Sequence, residues 1–284
     1  MQFPNQLRCT TPDKRIGVEF DRRKGHYTMA INHIHSQYEL YYLFSGRRSY
    51  FIKDRSYSVE AGDLIFIRSG EVHKTSDVGI PEHDRILIYY WESFFEQHPP
   101  ELAELLRSPF MADAPLLRLP LHERLKLEGM LLAVLEEIHA AAPGYELAVQ
   151  LASTELLLHA ARYHQKNKTA PMEHVSPMHE KISEIVQYIN ANYAEPISLP
   201  LLSEKFYVSI SHISRKFKEI TGFSFTDYLN LKRIKEAQRL LQQSELSITD
   251  ISEQVGFDNF SHFGKVFKKQ TGVSPRTYRS SEKG

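Results

Sequence analysis

Apolar residues recur along this chain in two periods, and the point where one gives way to the other divides it. Between Arg15 and Trp91 they fall in short runs, Tyr38–Phe44, Arg48–Ile52, Leu64–Ile67 and Ile86–Trp91. Turn residues at Ser45-Gly46, Lys53-Asp54 and Ala61-Gly62-Asp63 separate the runs. This pattern predicts an antiparallel β sandwich or barrel. From Pro120 the period becomes helical: Leu127, Leu131, Val134 and Ile138 form one stripe, and after Pro143-Gly144 the residues Leu147, Leu151, Thr154 and Leu158 form a second. Two helices in an antiparallel hairpin follow from that spacing. The polar stretch from Lys166 to Pro177 has no period and reads as an interdomain linker. Beyond it every segment is helical.

The helical C-terminal part contains an internal repeat, the strongest signal in the sequence. Ser198–Val208 matches Ser247–Phe257 at an offset of 49, pairing Leu199 with Ile248, Leu202 with Ile251, Ser203 with Ser252 and Glu204 with Glu253. After one extra residue the match resumes at an offset of 50, pairing His212 with His262, Ile213 with Phe263, Phe217 with Phe267, Lys218 with Lys268 and Gly222 with Gly272. Each copy reads as a short helix with a small residue at its centre, a tight turn, and a second helix. Ser209 and Asp258 are placed to cap the second helices, and Gly222 and Gly272 to stop them.

The face opposite each buried stripe carries Ile210, Ser211, Ser214, Arg215 and Lys218 in the first copy and Asn259, Ser261, His262, Lys265 and Lys268 in the second. Hydroxyl, amide, imidazole and cationic side chains read base edges and hold phosphates. One such face alone reads equally well as a solvated surface or as a DNA-reading one, and a tail that serves only as a protein-interaction bundle is a further alternative. Two in register favour DNA. The linking helix, about Phe225 to Gln243, would set their separation, and recognition helices about 34 Å apart would enter successive major grooves.

These residues carry a resemblance. Arg233-Ile234 with Ala237 and Leu240-Leu241, then Ile248 and Ile251, Gly256-Phe257, Phe263, Phe267-Lys268, Gly272 and Ser274-Pro275-x-x-Tyr278-Arg279 resemble the DNA-binding domain of the AraC family over about 100 residues. Ser203 and Ser252 stand where that family usually has alanine, and Tyr207 where a turn glycine is frequent. The resemblance implies base contacts from Ser211, Ser214, Arg215, Asn259, Ser261, His262 and Lys265. It also implies a small-molecule effector, with a sugar as the expected class, and a double-stranded DNA operator. RNA polymerase is a candidate partner.

The N-terminal part contains His33-x-His35-x3-Glu39-x6-Gly46 and, later, Gly62-x5-Arg68-x-Gly70-x2-His73. Positions 33, 35 and 39 would share one face of an unbulged strand, and His73 would arrive from another. Imidazole and carboxylate suit zinc, iron or manganese. The pair of segments resembles the two cupin motifs, with Arg68 where proline is usual and a longer gap after Gly25. A cupin-like metal-dependent enzyme fused to a DNA-binding module is therefore the alternative reading. The same region offers aromatic faces and polar groups for an organic effector: Tyr27, His33, His35, Glu39, Tyr41, Tyr50, His73 and Trp91.

Composition changes this picture little. Lys+Arg and Asp+Glu are each 35, but the segment 178–284 carries 15 basic against 12 acidic residues, a mild asymmetry in the direction of DNA. A single cysteine, Cys9, and the lack of a leader pattern point to the cytoplasm. No apolar run is long enough to span a bilayer, and each hairpin helix has a stripe to bury, which favours a homodimer. The expected fold is α+β. It comprises a cupin-like β barrel or jelly roll for effector sensing over 1–115, a dimerising helical hairpin over 116–165, a linker over 166–177, and an all-α double helix-turn-helix domain over 178–284.

Overall fold

Alternating side chains along antiparallel strands build the N-terminal half in a computed structural model that describes residues 3–25, 35–79, 82–167 and 177–281. The chain divides into two units, Met1–Glu173 and His174–Gly284. In the first unit the strands are β1 (Gln6–Thr10), β2 (Ile16–Arg23), β3 (Tyr38–Ser45), β4 (Arg47–Ile52), β5 (Arg55–Glu60), β6 (Asp63–Ile67), β7 (His73–Asp77) and β8 (His83–Tyr90). The short helices α1 (Glu92–Glu96) and α2 (Pro100–Arg107) and the strand β9 (Leu116–Arg118) follow. Among the described residues one sheet runs β1-β2-β8-β3-β6-β9 and the other β5-β4-β7, with every pairing antiparallel.

Odd-numbered residues of β3, β6 and β8 point between the sheets, where Tyr41, Leu43, Ile65, Ile67 and Leu87 meet Tyr50, Ile52 and Val59 of the smaller sheet. Even-numbered residues, among them Leu40, Tyr42, Phe66, Ile88 and Tyr90, pack outward against helical side chains such as Phe94, Phe95, Leu106 and Leu127. Both faces of the central strands are thus covered, which is why they read as continuous apolar runs rather than strict alternation.

The helices α3 (Leu121–Ala140) and α4 (Tyr145–Lys166) form the expected hairpin. In α3 the buried stripe is Leu127, Leu131, Val134, Leu135 and Ile138, as the spacing predicts. In α4 it is not. Val149, Ser153, Leu156, Leu157, Ala160 and Ala161 face inward, and Leu147 and Leu151 are 60% and 63% exposed. Small residues let this face of α4 come close to the sheet, and the Tyr90 hydroxyl donates to the Ser153 carbonyl at 3.0 Å. Leu121, Leu125 and Leu132 of α3 are exposed as well. Most of the linker expected over 166–177 lies outside the described residues.

The second unit consists of α5 (Pro177–Asn192), α6 (Leu199–Phe206), α7 (Ile210–Thr221), α8 (Phe225–Gln243), α9 (Ile248–Gln254), α10 (Phe260–Thr271) and α11 (Pro275–Ser281). The pairs α6–α7 and α9–α10 are the two copies of the repeat, and α8 links them. Ile234, Ala237 and Leu241 of α8 pack with Ile251, Phe263 and Phe267 in one core. Arg233 of α8 donates to the carbonyls of Tyr193 and Glu195 at 2.7 and 2.9 Å and stacks over the Phe257 ring. No helix of the described residues is long and apolar enough to cross a membrane.

Candidate functional site

The second helix of each repeat copy is amphipathic. α7 buries Ile213, Phe217 and Ile220, and α10 buries Phe263 and Phe267. Ile210, Ser211, Ser214, Arg215 and Lys218 are all exposed, as are Asn259, Ser261, His262, Lys265 and Lys268. Lys216 is occupied in a salt bridge with Glu219 at 2.6 Å, whereas none of Arg215, Lys218, Lys265 and Lys268 is in a salt bridge among the described residues. Cations left for solvent on both faces are what phosphate contact requires.

The caps differ from the expected ones. Asn259, not Asp258, caps α10, its Oδ1 accepting from the His262 backbone N–H at 2.9 Å. The carbonyl of this side chain is therefore spent within the helix, and its amide group remains for DNA. Ser209 occupies the N-cap position of α7 but makes no capping hydrogen bond. The first helices are better held: Ser198 caps α6, and Ser247 with Asp250 forms a capping box on α9. Tyr207 aligns with Gly256 in the repeat and shares its left-handed backbone, at φ of 55° against 92°.

Between the sheets of the first unit lies a polar column. At one end His35, Glu39 and His73 meet, with donor atoms within 4.8 Å of one another. His35 is not on β3, which starts three residues later; it sits on the preceding loop, fixed by a hydrogen bond from Gly70 N–H to its carbonyl at 2.8 Å. Its Nε2 lies 3.0 Å from Glu39 Oε2, and His73 Nε2 lies 3.6 Å from the same oxygen. The Tyr50 hydroxyl donates to Glu39 Oε1 at 2.9 Å. Burial alone would raise the Glu39 carboxyl, but the charge of His73 and hydrogen bonds from both imidazoles outweigh it and hold it well below its ordinary value. Burial and the Glu39 charge push the Tyr50 phenol far up, so it stays a donor.

The other end of the column was not foreseen. Asp21, 1% exposed, accepts from Arg8, Arg23 and Arg85 at 2.7, 3.1 and 3.0 Å. Arg48, also buried, donates to Thr75 Oγ1 at 3.3 Å. The signal was present in strand parity, because Arg48 shares the inward face of Tyr50 and Ile52, and Arg85 that of Leu87. A cleft of about 250 Å³ opens beside the histidine end, lined by Arg8, Glu19, His35, Gln37, Tyr89 and Trp91 among others.

The sequence family described as AraC-like ligand binding domain matches residues 18–161, and a helix-turn-helix domain matches residues 202–281. The chain belongs to the AraC family. It is a DNA-binding transcriptional regulator with an N-terminal ligand-binding domain, not an enzyme. It is 29% identical to the uncharacterized HTH-type transcriptional regulator YdiP of Escherichia coli, over 87% of this chain and 80% of that one. It is 26% identical to the HTH-type transcriptional activator RhaR of Cronobacter sakazakii, over 87% of this chain and 86% of that one. Among solved structures, the C-terminal domain of AraT, a response regulator from Geobacillus stearothermophilus, is 34% identical over 38% of this chain and 88% of that one, with a TM-score of 0.36. ToxT from Vibrio cholerae bound to an unsaturated fatty acid is 14% identical over 98% and 96% of the two chains, with a TM-score of 0.40.

In this AraC-family sensor domain the residues expected at an effector fall into two sets. His35 and Trp91 line the cleft. Glu39, Tyr41, Tyr50 and His73 are buried behind it, and the rings of Tyr41 and Tyr50 pack edge to face at 5.1 Å. Tyr27 and His33 lie outside the described residues. Arg8, Glu19, Gln37 and Tyr89 join the cleft without a motif to mark them.

Proposed function

We propose that this AraC-family protein is a homodimeric regulator that reads a DNA operator with α7 and α10 and takes a sugar in the cleft beside Trp91. The cleft carries the reading: the aromatic groups of Tyr89 and Trp91 stand next to Arg8, Glu19, His35 and Gln37. Flat apolar faces with alternating donors and acceptors are what a polyhydroxylated ring needs. Monosaccharides titrated against the intrinsic fluorescence of Trp91, the chain's one tryptophan, test it. A saturable change that Trp91→Phe removes and Glu19→Gln weakens is expected; no response to any neutral sugar, with a response to fatty or organic acids, would reject the sugar class.

The apolar surface of the hairpin supports the dimer. Leu147 and Leu151 on α4 and Leu121, Leu125 and Leu132 on α3 are exposed apolar residues that a second copy would bury. Leu147→Glu combined with Leu151→Glu is expected to convert the protein to a monomer in sedimentation equilibrium while leaving its circular dichroism unchanged.

On DNA, Arg215→Ala and Lys265→Ala are each expected to weaken specific binding by about 1–3 kcal/mol, tenfold or more, if they reach base edges. A cation that holds only phosphate would instead lower the salt slope by about 1. Affinity unchanged in both variants would remove α7 and α10 as the reading helices. The protein acts in the cytoplasm in this scheme. RNA polymerase is its partner if, like the RhaR relative, it is an activator.

A further inference from the structure

The first residue of each reading helix is a large apolar side chain that the fold leaves half in solvent. Ile210 opens α7 and is 44% exposed; Phe260 opens α10 and is 50% exposed. Single apolar residues on a surface are ordinary. These two pair with one another at the offset of 50 that relates the second helices, so the exposure occurs twice at one structural position. Starting the helix does not call for them: Asn259 caps α10, and the position after a cap favours proline rather than a large apolar group. In a helix-turn-helix the N-terminal residues of the second helix are the ones that meet base edges in the major groove.

We infer that Phe260, with Ile210 as its counterpart, reads the 5-methyl group of a thymine, a role that rests on α7 and α10 being the reading helices. Each of the two contacted segments of the operator then carries a thymine at that place. Of the features that base pairs display in the major groove, the thymine methyl is the one that an apolar side chain matches, and phenylalanine is among the residues that do so.

The neighbours of Phe260 fit this role. Its ring rests against Phe263 of the buried stripe, with centroids 6.2 Å apart, which steadies the ring without covering it. The Asn259 amide beside it has its oxygen committed to the helix and is left as a donor. The O4 of thymine and the N7 of its adenine partner are both acceptors. One turn along, Gly264 stands where the first copy has Ser214. A glycine inside a helix costs about fivefold in folding equilibrium relative to alanine. Crowding does not require this one, because a Cβ there would meet nothing within 4 Å. Helical side chains lean back over the preceding turn, so a longer side chain at 264 would lie over Phe260. The glycine keeps that ring open to a base.

The test uses the full chain and duplexes that it selects from a random-sequence pool, at one fixed salt concentration. Each thymine of a selected duplex is replaced in turn by deoxyuridine, which lacks only the methyl group. Wild type should lose about fourfold in affinity, the value of one buried methyl-sized group, at one thymine in each contacted segment. In a double-mutant cycle, Phe260→Ala should abolish the penalty at one of these thymines and Ile210→Ala at the other, each leaving the second intact. Phe260→Gln should act as the alanine variant does and stands in for it if that variant does not fold. Gly264→Leu should raise the unfolding temperature yet weaken binding. Duplexes in which no thymine replacement matters, or penalties equal in wild type and both alanine variants, overturn the methyl contact; α10 remains a reading helix in that case if Lys265→Ala still weakens binding. If Arg215→Ala and Lys265→Ala also leave affinity unchanged, the reading helices themselves are misassigned and the thymine contact falls with them.

Discussion

Replacing Asp21 by alanine will lower the stability of the N-terminal unit by about 3–5 kcal/mol, because it leaves buried arginines without the carboxylate they share. Arg85 is 5% exposed at its side chain and Arg23 is 21% exposed, so water replaces little of what Asp21 supplies. Urea unfolding followed by Trp91 fluorescence measures this unit selectively, since the chain's one tryptophan lies within it. A loss under about 1 kcal/mol, the scale of an exposed pair, would show that the guanidinium groups draw their balance from elsewhere.

The same residue sets an acid limit. Burial alone would raise the Asp21 carboxyl, but hydrogen bonds from Arg8 and Arg85 and the charges of Arg85 and Arg23 outweigh it and bring the pKa from 3.8 to about 2. A carboxyl depressed in the folded state contributes stability that is complete above its unfolded pKa. That stability is lost as pH falls through the folded one. The shift is worth about 2 kcal/mol, disappearing between about pH 4 and pH 2. Asp21→Asn should flatten this limb of the stability profile.

Alanine at Gly256, in the turn between α9 and α10, will destabilise the C-terminal unit by about 3 kcal/mol and remove sequence-specific DNA binding. Its φ of 92° disfavours any side chain, and a Cβ would stand 2.5 Å from the Ala194 carbonyl oxygen, a backbone atom that cannot swing aside. Tyr207, its counterpart in the first copy, is left-handed too but 95% exposed. The opposite exchange, Tyr207→Gly, should therefore gain about 1 kcal/mol by relieving backbone strain. Thermal unfolding by circular dichroism compares the two. If Gly256→Ala stays within about 0.5 kcal/mol of wild type, the loop around Ala194 is not held against the turn.

Much of the C-terminal unit was legible because its information is periodic. Ile213 and Phe217, repeated as Phe263 and Phe267, announce their buried face twice. The cap of α10 was missed because Asp258 and Asn259 are both good capping residues, and only the extra residue in the second turn decides between them. In α4 apolar residues occupy two faces, and periodicity does not tell which one meets the sheet. Leu147 and Leu151 made the stronger stripe, yet small side chains at Ser153, Ala160 and Ala161 made the closer fit. The histidine pair and Glu39 were legible as a motif. Their meeting was not a consequence of shared strand parity, as expected, but of a loop that returns His35 to Glu39. The arginines around Asp21 come from β1, β2 and β8, so no local spacing could join them.

Arg233 gives the C-terminal unit a property beyond stability. It leaves α8, a helix of nineteen residues and about 28 Å, to hold the Tyr193 and Glu195 carbonyls before the first copy while covering Phe257 in the turn of the second. The two copies consequently share one anchor and cannot swivel separately. Helical phase then becomes part of the operator's code. About five extra base pairs between the two contacted segments, half a turn of the duplex, would rotate one of them to the far side while leaving every base intact.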